Sequence, residues 1–144
     1  MDRDLYQMVK GIATAQRVVK DGGVIVVVGE CRDGLGSHEE FRRLMQKAGK
    51  PEDVLREIRE NEPIVDQWQA QVLATILEKA KVVVVTDGVE HKTIRKMMME
   101  PASALKEALN LAREMIPMKK PRIVAIPEGP YLVPNVGSNI TSKT

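Results

Sequence analysis

Gly22-Gly23-Val24-Ile25-Val26-Val27-Val28-Gly29-Glu30-Cys31-Arg32-Asp33-Gly34-Leu35-Gly36 is the stretch from which the architecture can be read. Its β-branched core has no polar interruption, so the strand it forms must be covered on both faces, as strands of a parallel sheet are. Val82-Val83-Val84-Val85 and Ile123-Val124-Ala125-Ile126 have the same character. Long helical patterns separate the three runs, and parallel strands need such crossovers. The expected fold class is therefore α/β, in three layers: a mostly parallel sheet flanked by helices, as a single domain over residues 1–136. Residues 137–144 are small and polar and are expected to form a disordered tail.

The helices between these runs carry their own signals. Asp4 is placed to cap a helix reaching about Lys20, with Leu5, Met8, Val9, Ile12 and Ala13 on one stripe and Gly22-Gly23 ending it. Ser37 followed by Glu40 reads as a capping box for a helix through Met45 to Ala48. Pro51 opens the next, with Val54, Leu55 and Ile58 inward. Residues 64–80 form the longest amphipathic stretch, with Trp68, Val72, Leu73 and Ile76 spaced for one face. Residues 103–116 form another, with Leu105, Leu109 and Ala112 as its apolar side, and residues 90–99 predict a short helix.

Composition excludes several classes of function. The chain has 144 residues, 43% hydrophobic and 29% charged, which is the make-up of a folded globular domain. Lys and Arg number 22 against 20 Asp and Glu, a net charge of +2 that gives no electrostatic reason to expect nucleic acid. Four aromatic residues (Tyr6, Phe41, Trp68 and Tyr131) are too few for a base-stacking platform. The single cysteine, Cys31, allows no internal disulfide and no multi-cysteine zinc site. No apolar run is long enough for a membrane span, and the N-terminus lacks the apolar core of a signal peptide. A cytoplasmic location is expected.

Chemistry has few places to sit. Each apolar run ends in an acid-and-glycine turn, at residues 29–37, at Thr86-Asp87-Gly88 and at Pro127-Glu128-Gly129, and open parallel sheets bind ligands beyond such strand ends. The first of these loops leads into a helix start that could receive an anion, although it matches no nucleotide-binding fingerprint. Asp87 and Glu128 are read more simply as turn residues. His38 and His91 lack metal-ligand spacing and are expected at the surface, while Cys31 reads as a small core hydrophobe. Tyr6, Gln7 and Lys10 are spaced to share a helix face, where an amide, a phenol and an ammonium suit a carboxylate and a neighbouring hydroxyl. On spacing alone a solvated helix face is the better reading. Trp68 is either a core residue or the wall of a pocket.

At these residues the sequence resembles the C-terminal domain of the nickel-dependent lactate racemase family. The likeness runs to about Val136. It rests on Tyr6-Gln7-x-x-Lys10, on the strand and loop from Gly22 to Gly36, on Trp68-Gln69-Ala70-Gln71, and on Ile126-Pro127-Glu128-Gly129 with Pro134 following. The resemblance implies part of a 2-hydroxy acid racemase or epimerase, working through a nickel-pincer nucleotide that accepts and returns hydride. It implies that cofactor, metal and general bases belong to an N-terminal domain outside these residues, which would be this domain's partner. Gln7, Lys10 and Trp68 match the family's substrate contacts, with Tyr6 beside them; no catalytic or metal-binding residue is assigned to this stretch. The isolated chain is then expected to be inactive and to self-associate through the surface its partner would cover. The alternative is a small α/β module that binds phosphate or a nucleotide without catalysis.

Overall fold

The computed structural model describes residues 2–118 and 120–135. The expected tail from Gly137 onward, and the end of the expected domain at residue 136, lie outside the described residues.

Helix α1 (Leu5–Gln16) precedes strand β1 (Val24–Val28); α2 (Glu39–Lys47), α3 (Pro51–Glu60) and α4 (Gln67–Lys79) then lead to β2 (Lys81–Val85). After it come α5 (His91–Lys96), β3 (Glu100–Ala102), α6 (Leu105–Met115) and a 3-10 turn, Gly129–Tyr131. The three strands are parallel and lie in the order β1-β2-β3, with Ile25 opposite Val82 and Val84 opposite Pro101.

Alternation along the strands builds the layers. Ile25, Val82 and Val84 point into the larger core with Leu5, Val9 and Ile12 of α1 and Leu73 and Ile76 of α4. Val83 and Val85 point the other way, onto Ala108 of α6, with Val24, Val26, Leu111 and Met115 packed around them. Both faces of the sheet are covered, which is why the strands carry continuous apolar runs. The α/β three-layer expectation holds.

Several local expectations need correction. The run Ile123-Val124-Ala125-Ile126 is not in the sheet; it is irregular, and Ile123 is 76% exposed. Glu100–Ala102 pairs with β2 instead, brought there by the short α5. A β-branched run reports a capacity for burial, and a strand also needs hydrogen-bonded pairing with a neighbour, which the run at Ile123 does not make. Helix α1 ends at Gln16 rather than near Lys20, because a turn closes through Arg17 and Val19 before Gly22, whose φ of +74 suits glycine. The capping box at Ser37 does not form. Helix α2 begins one residue later behind His38, and the Glu40 carboxylate is held by Arg43 at 2.7 Å.

Two apolar stripes are also rotated from expectation. In α4 the buried side chains are Gln69, Ala70, Leu73, Ala74 and Ile76, and Trp68 stands on the outward stripe, about half exposed. In α6 the small Ala108 and Ala112 face the sheet while Leu105 and Leu109 are exposed, because close helix–sheet approach selects the narrow side.

Candidate functional site

The face that could bind a ligand is set by how α1 begins. Asp4 Oδ1 accepts the Gln7 N–H at 2.8 Å, fixing the helix start as the sequence predicts. With Leu5, Val9 and Ile12 buried in the core, Gln7, Lys10, Gly11 and Thr14 are left on a common stripe. Gln7 and Lys10 are half-buried. Among the described residues the Lys10 ammonium meets no carboxylate and the Gln7 amide has no side-chain hydrogen bond. The turn Gly129–Tyr131 lies across this stripe: a Cβ on Gly11 would stand 3.6 Å from Pro130, and one on Gly129 would stand 3.3 Å from Gly11 Cα.

Tyr6 does not share that face. It is 4% exposed, and its ring turns toward α2 and α4. The ring stacks on His38 (centroids 3.5 Å apart, planes 11° from parallel) and meets Phe41 and Trp68 edge-on at 5.3 and 6.2 Å. Its hydroxyl donates to Asp66 Oδ1 at 3.1 Å, and His38 Nδ1 lies 2.9 Å from Asp66 Oδ2. An ionised carboxylate only accepts, so the His38 tautomer here carries its proton on Nδ1. The His38 bond, seconded by Tyr6 and opposed by desolvation, holds the Asp66 carboxyl below the ordinary aspartate range. Burial first, and the Asp66 carboxylate second, push the Tyr6 phenol up to about 12 against a smaller opposite pull from Trp68. The buried Gln69 amide donates to the Tyr6 carbonyl at 2.9 Å, so α1 and α4 are tied on both sides of the ring.

Trp68 stands with Gln71, Val72 and Thr75 of α4 and Gln16 of α1 around a groove of about 360 Å³. It is thus a surface residue of α4 rather than a core one. His38, expected at the surface, is mostly enclosed, and neither it nor Asp66 was marked as functional by the sequence. They lie 28 residues apart, and Asp66 lies 60 from Tyr6. Nothing local in the sequence signals such a cluster.

The crevice beyond the strand ends is filled by the chain itself. Residues 2–4 cross it: the Asp2 carbonyl accepts the Cys31 N–H at 2.7 Å, the Asp2 carboxylate accepts the Glu30 N–H at 3.2 Å, and the Arg3 carbonyl accepts the Asp33 N–H at 2.9 Å. The N–H groups of Glu30, Cys31, Asp33, Gly34 and Gly36 are engaged within the chain. The start of α2 carries Glu39 and Glu40, which repel anions from that terminus. Cys31 is fully buried as expected, and burial pushes its thiol up. Among the described residues no group of three or more His, Cys, Asp or Glu could hold a metal ion, and no helix is long and apolar enough to cross a membrane.

Comparison with known proteins bears on the family and the fold. The family model for the lactate racemase C-terminal domain matches residues 1–133. The chain is 41% identical over 132 residues to a lactate racemase of Thermoanaerobacterium thermosaccharolyticum, covering 90% of this chain and 30% of that protein. It is 36% identical over 135 residues to a lactate racemase of Lactiplantibacillus plantarum, covering 90% and 31%. The lactate racemase apoprotein structure from Thermoanaerobacterium thermosaccharolyticum superposes with a TM-score of 0.76 at 40% identity, over 81% of this chain and 28% of that one. The chain spans about 30% of the length of the curated relatives it matches. With both the sequence and the three-layer fold in agreement, this chain belongs to the family of lactate racemase C-terminal domains.

Proposed function

We propose that this chain is the substrate-binding C-terminal domain of a nickel-pincer-dependent 2-hydroxy acid racemase or epimerase. Gln7 and Lys10 grip the substrate, Trp68 walls the pocket, and Tyr6 supports the wall from behind. The observation that carries this reading is the pairing of an amide and an ammonium on one stripe of α1, half-buried and unengaged among the described residues. A lysine ammonium neutralises a carboxylate, and a charge-assisted bond to it is roughly twice as strong as a neutral one. The amide of Gln7 donates and accepts, so it can orient a carboxylate and the adjacent hydroxyl together. The indole of Trp68 excludes water from one side and raises the strength of both contacts.

The residues described here do not fit a nickel site, since no suitable donor cluster exists among them. The family resemblance assigns the nickel-pincer nucleotide and the general bases to an N-terminal domain, and this chain's part is to hold substrate. Taken alone it binds but does not racemise. A cytoplasmic location follows from the same reading, and the surface that faces the partner domain provides a route to homo-oligomers. The alternative of a phosphate or nucleotide module has no support from the geometry, because residues 2–4 occupy the crevice it would use.

The test is a titration of the purified chain with D- and L-lactate, followed by NMR of the Gln7 side-chain amide and the Trp68 indole. Lactate is expected to shift both signals, and Lys10→Ala to weaken binding about tenfold or more. Shifts produced by a nucleotide and not by lactate, or lactate binding untouched by Lys10→Ala, would overturn the proposal.

A further inference from the structure

Tyr6, His38 and Asp66 arrive from three separate parts of the fold and close into one cluster beside the proposed pocket. Asp66 stands at the N-cap of α4, where an aspartate ordinarily accepts an N–H of its own helix. Its side chain makes no such bond, and its backbone is held in the left-handed region at φ 62. The carboxylate instead receives the Tyr6 hydroxyl on one oxygen and His38 Nδ1 on the other. The ring between them is held on its face by His38 and on its edge by Phe41.

We propose that Asp66 and His38 are positioning residues: they lock the Tyr6 ring, and the locked ring holds Trp68 at the wall of the groove it forms with Gln16, Gln71, Val72 and Thr75. Trp68 follows Asp66 by two residues and leans edge-on against Tyr6, so its indole rests on the ring that the Asp66 carboxylate holds. The half-exposed indole has no other aromatic neighbour among the described residues. Without the lock, Tyr6 regains rotational freedom and Trp68 loses the surface that fixes its angle over the groove. The consequence for substrate rests on the function proposed above; the lock on Trp68 does not.

Trp68 is the single tryptophan of the chain and reports on its own position. In the purified chain, Asp66→Ala and His38→Ala are expected to red-shift Trp68 emission and increase its quenching by acrylamide, with far-UV circular dichroism retained. Asp66→Asn, whose Oδ1 can still accept the Tyr6 hydroxyl, restores most of the wild-type signal, while Tyr6→Phe shows an intermediate shift. Lactate binding weakens about fivefold in Asp66→Ala and in Tyr6→Phe. If Asp66→Ala fails to fold, Tyr6→Phe decides the question, since it removes only the hydroxyl that bonds Asp66. Emission and quenching of folded Asp66→Ala, His38→Ala or Tyr6→Phe that superimpose on wild type overturn the lock. Lactate binding abolished by Lys10→Ala yet intact in Asp66→Ala overturns the positioning role. Lactate binding indifferent to Lys10→Ala sinks the proposed function instead, and the Trp68 signal still judges the lock.

Discussion

Replacing Gly88 with alanine tests the packing at the strand ends. A Cβ there would lie 2.6 Å from the Glu30 carbonyl oxygen and closer still to the Cys31 carbonyl. These are backbone atoms and cannot swing aside, so one of the two loops must move. Three hydrogen bonds converge on the spot: Gly34 N–H to Cys31 O at 2.7 Å, Thr86 Oγ1 to Glu30 O at 2.8 Å, and Gly88 N–H to Thr86 Oγ1 at 3.1 Å. Each contributes about 0.5–1.5 kcal/mol net, so losing all three costs about 3 kcal/mol. The unfolded chain loses entropy with alanine, which offsets about 0.4–1 kcal/mol. The net destabilisation is about 2 kcal/mol, a fall in Tm of about 6–10 °C for a domain of this size. Gly49→Ala is the control, since its Cβ would meet nothing nearer than Asp53 Oδ2 at 3.8 Å. Scanning calorimetry of the two variants beside wild type reads the difference. A Gly88→Ala protein melting with wild type would show that the two loops are not pressed together as described.

Two further outcomes follow from ionisation and burial. Asp66 and Glu57 have carboxyls held below their ordinary values, the first by His38 and Tyr6, the second by Lys47 and Arg43. A depressed folded-state value gives stability that is complete above the unfolded value, about 4, and is lost as pH falls through the folded one. Thermal melts should therefore be flat from neutral pH down to about 5 and fall below about 4, with a shallower acid slope in Asp66→Asn and Glu57→Gln. An acid slope unchanged in both variants would show that these pairs are not what titrates. Cys31, buried with its thiol pushed up, should react with a thiol reagent only on unfolding. Native-state labelling at the rate seen in urea would contradict that burial.

How much of this was legible beforehand depends on the range over which each feature is decided. Val24–Val28, the Asp4 cap and Pro51 at the start of α3 are settled by neighbours within a few residues, and all were readable. Strand β3 was not: Glu100-Pro101-Ala102 has neither length nor apolar pattern, and only its pairing with β2 makes it a strand. The exposed run at Ile123 is the converse case, with strand composition but no pairing to any strand of the sheet. The Gln7–Lys10 pair was visible as spacing on one helix. The Tyr6–His38–Asp66 cluster depends on three helices meeting, which periodicity does not encode. The stripes of α4 and α6 were misaligned because hydrophobicity ranks Trp68, Leu105 and Leu109 as core, whereas tight packing preferred alanines.

The two rims of the sheet are not equivalent. On one side β3 is three residues long and contains Pro101, which has no amide hydrogen to offer, so this rim is a poor template for an added strand. On the other side β1 presents five consecutive β-branched residues, ending in an exposed Val28, with no strand beyond it among the described residues. Growth of the sheet is thereby polarised toward β1. Edge-to-edge recruitment of a second chain, the usual first step of strand-mediated aggregation, has one preferred entrance. A single lysine placed at Val28 would guard it without disturbing either core.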